Sequence, residues 1–215
     1  MYKALVFDLD GTLLDTIGDL AAAVNHALSI HGYPTHPTEA VLGMVGNGVA
    51  SLVARALPGG EENPDFPTVL ADFRAYYEVH KDDTTAPYPG ILPMLARLRA
   101  AGCRMAVVSN KYDLAVKALA AAFFPDTVEV AIGEKEGVAR KPAPDGVFAA
   151  LSELGVPPGE AVYIGDSEVD ILTAHNAGLA CLSVGWGFRT EAALLAAGAE
   201  RVYKTPEALL EHILA

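Results

Sequence analysis

Two carboxylates one residue apart stand in Asp8-Leu9-Asp10-Gly11-Thr12, directly after the apolar run Ala4–Phe7. A carboxylate presented at close range can act as a nucleophile, and a second carboxyl beside it can carry protons to and from the reacting atoms. Three later segments hold groups that would complement such a pair: Ser109 with Asn110, Lys141, and Asp166 with Asp170 four residues on. A hydroxyl and an ammonium are donors that a developing oxyanion needs. Carboxylates gathered from separate segments offer the oxygens that a hard divalent cation takes. Each segment taken alone has a plainer reading. DxDGT could be an ordinary Asp- and Gly-rich turn, Ser109-Asn110 and Gly165-Asp166-Ser167 could cap helices, and Lys141 before Pro142 could be a solvated loop lysine. Only as a set, strung along the ends of apolar runs, do they point to chemistry.

What must position these groups is a sheet. Ala4–Phe7 is apolar without interruption, the pattern of a strand buried on both faces. After residue 90, helical and strand-like patterns trade places. The sequence predicts helix 91–101, strand 104–108, helix 114–122, strand 128–132, helix 145–154, strand 161–164, helix 169–177 and strand 180–184, then short elements at 191–197, 201–203 and 206–214. Such alternation requires crossover connections, so the expected class is α/β, a Rossmann-like parallel sheet core with helices on both faces. Ligands of such sheets bind beyond the carboxyl ends of the strands, where Asp8, Asp10, Ser109, Asn110 and Asp166 stand and where Lys141 follows after a loop. Residues 16–85 instead carry helical periodicities only. Ile17, Leu20, Ala21, Val24 and Leu28 form one stripe, from a Thr16 N-cap to a Gly32 stop. Val49, Leu52, Val53, Ala56 and Leu57 form a second, ended by Gly59, and Phe66, Val69, Leu70, Phe73 and Tyr77 a third. The expected organisation is a core of 1–15 and 86–215 with an inserted α-helical domain of 16–85.

In order, FDLDGTLLDT, VVSN, ARKPAP and IGDSEVD resemble the four motifs of the haloacid dehalogenase superfamily of phosphotransferases, and the resemblance covers the whole chain. The helical insert resembles a C1-type cap. VGNG at 45–48, TAPYPG at 85–90 and VVSNK at 107–111 are similar to phosphoglycolate phosphatases. The resemblance implies Mg²⁺-dependent hydrolysis of a small phosphate monoester, 2-phosphoglycolate favoured, through an aspartyl-phosphate on Asp8. Asp10 would be the general acid and base, folded back by a turn that Gly11 permits. Asp8, the backbone carbonyl of Asp10 and Asp166 would hold the Mg²⁺, and Asp170 would orient its waters. Ser109 and Lys141 would stabilise the transferring phosphoryl group, with Asn110 and the backbone N–H groups after Asp8, Gly11 among them, completing the cradle. The cap would close over the cleft, with Asn47 and Arg55 as candidates for selecting substrate. A phosphomutase or pyrophosphatase of the same superfamily would use the same residues. A non-catalytic binding protein keeping the fold would be expected to have lost Asp8, Ser109, Lys141 or Asp166, and all are present. A dehalogenase has no use for an acid at Asp10.

Composition excludes other classes. The 15 basic and 27 acidic residues leave a net charge of −12 with no Lys/Arg cluster, which argues against nucleic acid as a partner. With 52% apolar residues and a mean hydropathy of +0.28 the chain can bury a core, yet no apolar run reaches membrane-spanning length. Its opening residues lack the pattern of a signal peptide, so the cytoplasm is the expected location. Cys103 and Cys181 read as free thiols and the six histidines follow no zinc spacing. Gly46-Asn47-Gly48 is neither a dinucleotide loop, since Ser51 replaces the third glycine, nor a P-loop. The expected partner is a small phosphorylated metabolite, and nothing in the sequence specifies an oligomeric state.

Overall fold

The computed structural model describes residues 2–46 and 48–215. In chain order the elements are β1 (Ala4–Phe7), β2 (Leu14–Asp15), α1 (Ile17–Ile30), α2 (Thr38–Met44), α3 (Val49–Ala56), α4 (Phe66–His80), β3 (Ala86–Pro87), α5 (Ile91–Ala100) and β4 (Arg104–Tyr112). They continue with α6 (Asp113–Phe123), β5 (Val130–Glu134), α7 (Asp145–Leu154), β6 (Ala161–Gly165), α8 (Glu168–Ala177), β7 (Ala180–Val184), α9 (Glu191–Ala196), β8 (Val202–Tyr203) and α10 (Pro206–Leu214). The chain divides into two compact units, Met1–Leu14 with Pro87–Ala215, and Asp15–Ala86. It passes between them at β2 and β3, which pair as a two-stranded ribbon.

In the first unit six strands lie in the order β5-β4-β1-β6-β7-β8, parallel throughout. β1 is central because all four of its residues are apolar and buried, leaving no face for water. Alternate strand residues feed two cores. Leu5, Phe7, Met105 and Val107 pack with Ile91, Leu95 and Leu98 of α5, Val116 and Leu119 of α6, and Leu209 and Ile213 of α10. Ala4, Val6, Ala106, Val108 and Tyr163 pack with Val147, Leu151 and Leu154 of α7 and with Ala174 and Ala177 of α8. The strand order runs outward from β1 through β4 to β5, then outward the other way from β6 to β8. The crevice between β1 and β6 is therefore the switch point where such sheets bind ligands.

Two strands differ from expectation. β4 continues to Tyr112 rather than ending at 108, and β5 spans Val130–Glu134 rather than 128–132. Between Val108 and Tyr112 the pairing with β5 shifts register, an irregularity across which β4 continues.

The second unit packs α1 to α4 around Leu20, Val24, Leu28, Val41, Leu52, Val53, Val69 and Phe73. α2 is an addition to the three expected helices. It is seven residues long and buries only Val41, too little apolar repetition to register as a stripe. Thr16 stands at the N-cap of α1 but its hydroxyl does not cap, because φ −110° and ψ 2° place it outside the extended conformation that aims such a side chain at the first-turn amides. Asp19 of α1 is 2% exposed and holds the far end of the unit. Its carboxylate accepts the N–H and hydroxyl of Thr84 at 2.9 and 2.6 Å, and those of Thr85 at 2.9 and 2.7 Å.

Candidate active site

The Asp8 N–H still donates to the Ile164 carbonyl at 2.9 Å, so the first carboxylate leaves the sheet from a fixed backbone. The chain then folds back. The Leu9 carbonyl accepts from Leu13 and Leu14 at 3.0 Å each, and Gly11 turns through φ +86°. A Cβ at Gly11 would collide with the Asp166 carboxylate, so glycine is required there for space as well as for conformation. Its own N–H donates to the Leu14 carbonyl at 2.9 Å, so Gly11 supplies the turn and not the donor expected of it.

Lys141 is the hub. Its Nζ lies 2.7 Å from Asp8 Oδ1, 2.8 Å from Asp170 Oδ1 and 3.0 Å from the Tyr163 hydroxyl, so its three N–H donors are all directed. Tyr163 comes from mid-β6 and also lies 3.2 Å from Asp170 Oδ1 and from the Val108 carbonyl, to one of which it donates. Asp170, fully buried, takes the N–H and hydroxyl of Ser167 on Oδ2 at 3.1 and 2.6 Å, a capping box that starts α8. The backbone of Lys141 is gripped by Asn110, whose amide accepts from the Lys141 N–H at 2.8 Å and donates to its carbonyl at 2.9 Å. The Asn110 side chain thus holds the backbone of the lysine. Ser109 is 6% exposed and its hydroxyl accepts from the Lys111 N–H at 3.2 Å.

A second lysine also enters. Lys111 is 5% exposed and its Nζ lies 2.7 Å from Asp10 Oδ1. Asp166 is held at both oxygens, by the Thr12 hydroxyl at 3.0 Å and by the Phe188 N–H at 2.7 Å. Burial, and after it the neighbouring Asp170 carboxylate, pushes the Asp166 carboxyl up to about 7. The same two causes raise Asp8 well above the carboxylate range against the pull of Lys141. Lys141 is itself raised: burial disfavours its charge, but Asp170 and Asp8 outweigh that. So much buried negative charge is characteristic of a site that works with a cation.

Asp8, Asp166 and Asp170 each place an oxygen within 4.8 Å of the others. Asp170 carries Lys141 and Tyr163 on Oδ1 and Ser167 on Oδ2, which makes it an anchor for the lysine, and any of the three carboxylates could offer an oxygen to a metal ion. An all-oxygen donor set fits a hard cation such as Mg²⁺. In the second unit, Arg55 Nη1 donates to the carbonyls of Met44 at 2.6 Å and Gly46 at 2.9 Å, so the guanidinium braces the turn between α2 and α3. Asn47 lies outside the described residues. The sequence reading missed Thr12, Lys111, Tyr163 and the loop 185–188. Thr12 and Lys111 stood inside quoted motifs and could have been found there.

The family described as haloacid dehalogenase-like hydrolase matches residues 5–184. The chain belongs to this family. Among its relatives, a phosphoglycolate phosphatase from Rhodobacter capsulatus is 38% identical over 193 residues, 88% of this chain and 87% of that one. A solved structure from Lactobacillus delbrueckii subsp. bulgaricus superposes with a TM-score of 0.94 at 38% identity, covering 99% of this chain and 98% of its own. CbbY from Rhodobacter sphaeroides, solved in complex with phosphate, superposes at 0.73 with 29% identity over 96% of this chain and 95% of its own. Phosphate-monoester hydrolysis is the reaction that the family and the curated relatives support.

Proposed function

We propose that this protein hydrolyses a small phosphate monoester by way of an aspartyl-phosphate on Asp8, with 2-phosphoglycolate as the favoured substrate. The observation that carries this reading is the Asp8 carboxylate held 2.7 Å from Lys141 Nζ at the switch point of the sheet, with Asp10 on the same turn and Asp166 beside it. An Asp8 oxygen attacks phosphorus and the bond to the substrate oxygen breaks. Asp10 gives that leaving oxygen its proton and takes one back from the water that next attacks phosphorus, releasing inorganic phosphate and restoring Asp8. Ser109 and Lys141 face charge developing on the phosphoryl oxygens. Asp8, Asp166 and the backbone carbonyl of Asp10 are the proposed Mg²⁺ ligands. The ion would offset the repulsion between carboxylates and phosphate.

The preference for 2-phosphoglycolate rests on the relatives at 38% and 36% identity that carry that activity in their names. The unit Asp15–Ala86 is proposed as the cap that selects substrate and excludes water during the reaction. Two free cysteines fit a reducing setting such as the cytoplasm; among the described residues no helix is long and apolar enough to cross a membrane. The test is inorganic phosphate release from 2-phosphoglycolate, pyrophosphate, nucleotides and sugar phosphates, with Mg²⁺ or chelator. Release should need Mg²⁺, favour 2-phosphoglycolate and fall by at least about 10³-fold in Asp8→Asn, which keeps the shape and removes the nucleophile. A folded Asp8→Asn with ordinary activity would sink the mechanism, and isomerised sugar phosphate as the product would identify a mutase.

A further inference from the structure

The loop Gly185-Trp186-Gly187-Phe188 leaves the end of β7 and belongs to none of the four motifs, yet it makes three contacts at their centre. Its base is tied by the Gly185 N–H to the Tyr203 carbonyl at 2.9 Å. The Trp186 indole N–H donates to the Thr12 carbonyl at 2.9 Å. The Phe188 N–H donates to Asp166 Oδ2 at 2.7 Å, while Thr12 itself holds Oδ1 from the other side at 3.0 Å. Between the two donors Gly187 lies flat against the site: a Cβ there would run into the Gly11 carbonyl and into Asp166. Gly187 does not have a positive φ, so what excludes a side chain is space alone.

We propose that this loop is the positioning element of the cation site: it pins Asp166 Oδ2 directly through Phe188 and backs, through the Trp186 bond to the Thr12 carbonyl, the residue that holds Oδ1, and so fixes the preference for a small divalent cation over a larger one. The inference rests on the reading above that Asp166 is a ligand. A carboxylate held from two sides cannot swing about its Cβ–Cγ bond. Mg²⁺ demands near-ideal octahedral geometry and gains from a ligand fixed in advance, whereas Ca²⁺ accepts six to eight oxygens in flexible arrangements and gains little. Releasing the carboxylate should therefore weaken the smaller ion more than the larger.

The experiment is calorimetric titration of Mg²⁺ and of Ca²⁺ into the full-length chain as wild type, Gly187→Ala and Trp186→Phe, with thermal melts to establish that each is folded. Gly187→Ala should raise the Mg²⁺ Kd at least about tenfold and the Ca²⁺ Kd less than about threefold, within the effect known for partners of metal ligands. Trp186→Phe, which keeps the ring and removes the N–H, should shift the Mg²⁺ Kd in the same direction by about two- to fivefold. Should Gly187→Ala fail to fold, Trp186→Phe decides alone. Folded variants with wild-type Mg²⁺ Kd, or equal losses for both ions, overturn the proposal. A wild type that binds no Mg²⁺ overturns the ligand reading beneath it.

Discussion

At the scale of single residues the site is a set of buried carboxylates balanced by two lysines, and that balance is titratable. The Asp166 carboxyl, raised from 3.8 to about 7, keeps its proton in the native state at pH values where the unfolded chain has released it. Native protein then binds more protons than unfolded protein, so in chelator the share of stability owed to this group is present below about 4 and is lost as pH rises through about 7. Urea midpoints in chelator should fall as pH rises toward about 7, Asp166→Asn should show a smaller fall because only the raised Asp8 then remains, and Mg²⁺ should counter the fall by binding the deprotonated form. Lys111 gives a second prediction. Lys111→Met leaves Asp10 without its 2.7 Å partner, and kcat should fall by about 10²-fold in a folded protein. The four motif segments were legible in the sequence because Asp, Ser and Lys at strand ends are conspicuous. Tyr163 was not, since an aromatic inside a strand looks like any other core residue. Nor was Lys111 as a buried group: lysines are mostly solvated, and it is the continuation of β4 to Tyr112 that carries Lys111, two residues on from Ser109, into the buried part of the strand.

At the scale of elements, polar clamps do what length cannot. α1 begins without a side-chain cap, but Asp19 in its first turn collects four donors from Thr84 and Thr85 and so ties the end of the insert to its start. Asp19→Ala would strand those donors. It should cost the second unit at least about 2 kcal/mol, read as a lower urea midpoint. Phe73→Ala at the centre of the same core should cost about 3–5 kcal/mol by cavity formation. The alternation of helix and strand after residue 90 was readable because buried parallel strands are short apolar runs. The helix α2 and the ribbon of β2 and β3 were not, since seven residues with one buried side chain, or two residues per strand, carry no period.

At the scale of the whole molecule, the chain carries a net charge of −12 while the proposed substrate is an anion. Long-range repulsion should slow encounter, and salt should relieve it. At constant free Mg²⁺, kcat/KM should rise, by about twofold, as ionic strength goes from about 20 to 200 mM, the opposite of what a basic cleft would give. A fall over that range would mean that local attraction at Lys111, Lys141 and the cation outweighs the global field. The pattern of the sequence changes period near residue 90, close to the start of the segment Pro87–Ala215. The ends of the insert are set by hydrogen bonds of the ribbon, which no periodicity reports.

That ribbon bears on how such a chain can change over evolutionary time. Leu14–Asp15 and Ala86–Pro87 are hydrogen-bonded neighbours, so everything between them is, in topological terms, one long connection closed by a single ribbon. A connection can be exchanged without rethreading a sheet. Recombination at these two points would replace one helical module with another in a single step. A chimera carrying a foreign insert there would leave the six parallel strands, and the carboxylates at their ends, in register.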